Sequence, residues 1–221
     1  MNDPFSPEEL RELPVVLSAP RFATYLQARG GDRTEALRLY RWNLAVSGAF
    51  MVPLHILEIT LRNGVVQGIE AIHGGAWPWT QGFLLTLPNP GCGAYSPRQD
   101  LLATARRHPT AGKVVADLRF AFWERMLLKS QQRIVWDRQF AACFPHAPRG
   151  QGASASREHL RRDVEAIRRL RNRIAHHEPI FARDLGRDLD TIRRAVRWRS
   201  TVAEGWLDKM EEVTGLLGQK P

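Results

Sequence analysis

Apolar residues in this chain recur every three or four positions, and almost nowhere do apolar and polar residues alternate between turn signals. The first pattern lays a stripe along an α-helix, whereas a half-buried strand needs the second. An all-α fold follows, most simply a helical bundle with additional helices. Hydrophobic residues make up 43% of the 221, which is enough for one core, so residues 1–221 are expected to form a single helical domain.

Turn and cap signals divide the pattern into segments. Pro20 to Ala28 is predicted as a short helix, with Ser18 as its cap and Gly30–Gly31 as its stop. Asp32 can cap the next helix, through Tyr40, Trp42 and Leu44, and Pro53 starts or kinks a segment that runs to about Ile72 before Gly74–Gly75. Residues 76 to 97 read as loop. Ser96–Pro97 opens another helix, and Gly112 begins one holding Val115, Leu118, Phe122 and Trp123. A short helix spans about Gln132 to Ala142. Pro145 to Ala155 is rich in Pro, Gly, Ser and Ala and is expected to be an internal loop. Ser156 opens a long helix, and two more run from about Leu185 to Arg199 and Thr201 to Leu217.

The formal charge of +9 favours a polyanionic partner, of which nucleic acid is the commonest. No apolar run approaches eighteen residues, so no membrane span or membrane partner is expected. Met1 to Glu9 has no basic segment followed by an apolar one, so no signal peptide is expected. Cys92 and Cys143 are isolated and read as reduced thiols of a cytoplasmic protein.

The long helix carries the anomaly. Leu160, Val164, Ile167 and Ile174 define an apolar stripe, and Arg171 falls in its middle. A charge there must be paired, snorkel to water or line a cleft. Asn172 and His176, four residues apart, share the adjoining face. Together they offer a fixed cation, an amide and a titratable imidazole. That set suits cleavage of an RNA phosphodiester by its own 2′-hydroxyl, with the imidazole moving protons and the guanidinium meeting phosphoryl charge. The bland alternative is a salt-bridged Arg and a capping His. Leu61-Arg62-Asn63 repeats Leu170-Arg171-Asn172, but Gln67 stands where the second copy has His176. The chain therefore has one motif.

The stretch from Arg171 to Phe181, Arg-Asn-Arg-Ile-Ala-His-His-Glu-Pro-Ile-Phe, resembles the signature of Abi-like (abortive infection) proteins of the AbiD/AbiF type. These are similar to HEPN ribonucleases, marked by Arg, four to six residues, then His, as also in type VI CRISPR effectors. Three further stretches resemble the same family: Leu39 to Asn43, Leu54 to Asn63, and Gly112 to Leu118 with Phe122–Trp123. The likeness covers roughly residues 20 to 200. It implies a HEPN-like helical fold, RNA cleavage without a cofactor, and a role in phage defence or as a toxin. Arg171, Asn172 and His176 would be catalytic. It also implies a homodimer, because two such motifs commonly meet across a symmetric interface. An antitoxin or a regulatory RNA is a further partner class. The rival functions are a non-catalytic RNA-binding module acting through partners, and a helical scaffold with no nucleic-acid role.

Other charged residues complete the expectations. His176-His177-Glu178 is a poor metal site, because adjacent helical residues diverge by ~100°. His177 instead helps to end the helix before Pro179, as a supporting residue. Glu58 falls within the stripe of Leu54, Leu57, Leu61 and Val65. It either pairs locally with Arg62 or reaches across to orient Arg171. Arg168, Arg173, Arg194 and Arg197 are the candidate RNA-backbone contacts, with Trp198 either stacked on a base or in the core.

Overall fold

The computed structural model describes residues 5–91 and 93–221, so Cys92 lies outside the described residues. The architecture is all-α, with no strand among the described residues. In chain order come α1 (Pro7–Val16), α2 (Ala19–Ala28), α3 (Arg33–Ala49), α4 (Met51–His73), α5 (Gln81–Thr86), α6 (Pro97–Arg107), α7 (Ala111–Asp117), α8 (Phe120–Met126) and α9 (Asp137–Cys143). Then follow α10 (Gly152–Ala175), α11 (Leu185–Arg199), α12 (Thr201–Met210) and α13 (Val213–Leu217).

The caps explain many of the boundaries. Ser6 and Glu9 form a reciprocal capping box at α1, a helix that apolar periodicity alone did not announce. Asp32 accepts from the Glu35 amide at the start of α3, as its position suggested. Ser18, by contrast, makes no side-chain cap, and its backbone sits at φ 77°.

The helix expected from Gly112 is two helices, α7 and α8, because Leu118 and Arg119 adopt extended backbone. Residues 76 to 97 are less irregular than expected. They contain a 3₁₀ turn at Trp77–Trp79 and α5, and Trp77 is fully buried. The segment after α11 also breaks, at Glu211–Glu212, into α12 and α13.

Helix α4 is the hub. It touches α3, α8, α9, α11 and α12. Leu54, Leu57, Leu61, Val65 and Ile69 enter the core along one side of it, each burial being worth about 1.5–3 kcal/mol. Two glycines let neighbours approach closely. A β-carbon at Gly68 would lie 3.1 Å from Val135 and 3.3 Å from both Cys143 Sγ and Trp136, and one at Gly64 would lie 3.3 Å from Phe144. Those neighbours sit on α9, on the residue that follows it, and on the π-helical turn Gln132–Trp136 that leads into it. Trp136 Nε1 donates to Met126 O at 2.7 Å and ties that turn to α8. Burial pushes the Cys143 thiol up to about 11, which leaves it an inert packing group.

Helices α3 and α4 meet at Phe50, whose backbone is itself helical, so Arg33–His73 is nearly one rod. Pro53 supplies no N–H to the turn before it, which marks the junction. This rod is long and apolar enough, by length and composition, to cross a membrane, which corrects the expectation that no such stretch exists. In this fold Leu54, Leu57, Leu61, Val65 and Ile69 of the rod are buried in the core.

The glycine contacts give a paired test. Gly68→Ala is expected to lower stability by about 1–3 kcal/mol through overpacking, although alanine favours helix by ~1 kcal/mol. Gly48→Ala, with open space around its β-carbon, should raise stability by up to about 1 kcal/mol. Urea denaturation reads both, and a stabilised Gly68→Ala protein would contradict the close approach.

Candidate functional site

The core stripe of α10 is Leu160, Val164, Ile167 and Leu170, with Ile174 half-buried. The stripe therefore runs through Leu170, and Arg171 sits at its edge. The Arg171 side chain is 45% exposed, which corrects the expectation of a charge within an apolar face. It lies in an open groove between α10 and α4, of 290 Å³, lined also by His55, Glu58 and Arg62.

Within that groove Glu58 Oε2 stands 4.0 Å from Arg171 Nε, at the outer limit of an ion pair. Glu58 thus faces Arg171 across the groove, and no Glu58–Arg62 ion pair forms among the described residues. Both partners are partly exposed, so the pair contributes at most about 1 kcal/mol and serves to aim the guanidinium. Arg62 Nε is shut off from solvent and has no hydrogen-bond partner among the described residues.

Asn172 and His176 do not line the groove. They lie about 100° and 140° around the helix from Arg171. Asn172 is half-buried and His176 is exposed. The structure therefore gathers Arg171, Glu58 and Arg62, and leaves Asn172 and His176 accessible on the adjoining face of the same helix end.

That end is firmly built. His176 is the C-cap, and His177 follows with φ 55°. The His177 amide donates to Ile174 O at 3.0 Å and the Glu178 amide to Arg173 O at 2.8 Å, a Schellman arrangement with histidine where glycine is usual. The turn is then clamped from outside. Asn43 on α3 is 3% exposed, and its Oδ1 accepts from the amides of Ile180 (2.8 Å) and Phe181 (3.1 Å). Arg173 donates to Pro179 O from Nε and Nη2, and Lys220 Nζ donates to Phe181 O at 2.8 Å.

The four arginines expected on RNA are all engaged within the chain. Arg168 pairs with buried Glu124 on α8, and Arg173 holds the turn. Arg194 makes two bonds of 2.8 Å to Asp163, and Arg197 Nε bonds Glu204 at 2.8 Å. Trp198 is 3% exposed and packs edge-on against His159, so it belongs to the core and offers no face to a base. A cleft of 1240 Å³ between α10 and α11 holds Arg183 paired with Asp188 and the Arg194–Asp163 pair, so much of its charge is met internally.

Two residues escaped the sequence reading. His55 lines the groove, and its spacing of three and seven residues from Glu58 and Arg62 puts all three on one face of α4. Asn43 offered no local signal beyond its place in the Leu39–Asn43 stretch. No group of three His, Cys, Asp or Glu side chains placed to hold a metal ion occurs among the described residues. Comparison with known proteins finds no matching family model, curated relative or solved structure.

The clamp can be tested directly. Asn43→Ala leaves two turn amides without an acceptor, one of them buried, and is expected to destabilise the fold by about 2 kcal/mol. Amide exchange at Ile180 and Phe181 should accelerate. Unchanged exchange at both would show that Asn43 does not hold the turn.

Proposed function

We propose that the protein is a metal-independent endoribonuclease of HEPN type, acting in phage defence or as a toxin. The observation that supports this most is the placement of Arg171 in an open groove, aimed by Glu58, with Asn172 and His176 accessible at the same helix end. The resemblance of the Arg171–Phe181 stretch to Abi-like signatures points the same way.

The chemistry follows from the groups present. In RNA the 2′-hydroxyl is already beside the phosphate, so its attack is effectively unimolecular. His176 takes or gives a proton, Arg171 meets the charge that grows on the phosphoryl oxygens, and Asn172 orients the imidazole or donates to a phosphate oxygen. The products are a 2′,3′-cyclic phosphate and a free 5′-hydroxyl. The net charge of +9 draws the RNA to the surface. A homodimer is the natural assembly, since a two-fold axis near the end of α10 would add the motif of a second copy to this one.

His176→Ala and Arg171→Ala are each expected to cut the cleavage rate by at least about 100-fold. His176 is exposed and the Arg171 side chain is 45% exposed, so thermal stability should change little. Wild-type protein should cleave RNA in EDTA and leave a 2′-deoxy strand intact. Activity that requires Mg²⁺, or a fully active His176→Ala protein, would refute the assignment. Sedimentation should find a dimer, and a monomer cleaving at full rate would remove the paired-motif arrangement.

A further inference from the structure

The groove between α4 and α10 holds groups that the proposed reaction has not used. His55 is exposed on α4 and shares one face with Glu58 and Arg62. Arg171 projects from α10 into the same space. The Arg62 side chain lines the groove, and its Nε has no hydrogen-bond partner among the described residues. Glu58 sits 4.0 Å from Arg171, and Arg62 has no ion pair among the described residues. Two guanidiniums and one carboxylate therefore line the same groove, and Met51 and Ile59 give it an apolar wall. A space of 290 Å³ admits one nucleotide unit of a single strand.

We infer that this groove is a phosphodiester subsite in which Arg62 and Arg171 grip one phosphate and His55 is a second proton carrier. The inference rests on the ribonuclease reading and adds two residues to it. The proton balance calls for such a group. As the 2′-oxygen bonds to phosphorus and the P–O5′ bond breaks, one proton leaves the 2′-hydroxyl and another must reach the departing 5′-oxygen. His176 lies outside the groove, whereas His55 lies inside it with Arg171. His55 donates to the departing 5′-oxygen, and the His176 that a second copy brings in the proposed dimer takes the proton of the 2′-hydroxyl. Planar guanidiniums suit the two non-bridging oxygens of the same phosphate.

The test uses the full chain and a single-stranded RNA. His55→Ala should lower kcat by about 100-fold with KM changed little, because a proton carrier acts in the transition state. Added imidazole should restore part of that rate, which a merely structural role would not allow. Arg62→Gln should raise KM as well. A His55→Ala protein with wild-type kcat would overturn the assignment while leaving the ribonuclease reading intact.

A second measurement decides the case in which wild-type protein cleaves nothing. A 2′-deoxy dinucleoside phosphate is titrated into the protein, with the histidine ring resonances followed by NMR. The His55 signals should move, and Arg62→Gln should abolish the movement. A His55 ring unmoved at millimolar probe would overturn the subsite whatever the enzymatic result.

Discussion

The close approach at Gly64 and Gly68 sets the position of the groove. Helix α4 can lie against α9 and the π-helical turn only because Gly64 and Gly68 present no side chain there. With that side pressed inward, the opposite edge of α4 must face out. His55, Glu58 and Arg62 are on it. One helix thus does two jobs through two faces. Its apolar residues hold the fold together, and its polar residues meet Arg171 across open space.

The end of α10 shows how a turn can be rigid without being buried. His176, His177 and Glu178 are all exposed. Yet the backbone of this turn is tied by its own Schellman bonds, and the residues that follow it by Asn43, Arg173 and Lys220. Exposed side chains on a fixed backbone are what a binding or catalytic edge requires, since the frame need not reorganise when a ligand arrives. Arg173 bears on this point. Its Nε and Nη2 both bond the frame at Pro179 O, which fixes the guanidinium at the turn.

The fold class was legible because helical periodicity is a local property, but α10 opens at Gly152, one turn before Ser156 and inside the stretch expected to be a loop. The stripe on α10 was misread by one residue. Leu170 and Arg171 are adjacent, and either completes a pattern set by Leu160, Val164 and Ile167. Only the contact with the rest of the core chooses Leu170. The arginines of α11 illustrate a different limit. Their partners, Asp163, Glu204 and Asp208, are 7 to 31 residues away in the chain, beyond the reach of helical spacing. Asn43 was hidden for a similar reason, since its partners are more than 130 residues distant. His55 could have been found, because it obeys the same spacing that identified Glu58.

Asn43 and the groove residues belong to a single nearly continuous rod, α3 with α4. Rotation along a helix is counted in residues, about 100° for each one. Between Asn43 and Arg62, therefore, chain length acts as an angular gauge. One residue added or removed there would turn the groove face away from α10 while Asn43 stayed on the motif turn. The connections at 88–91 and 145–151 carry no such gauge. Lineages of this fold should vary freely in length at those connections and hold the Asn43–Arg62 interval constant.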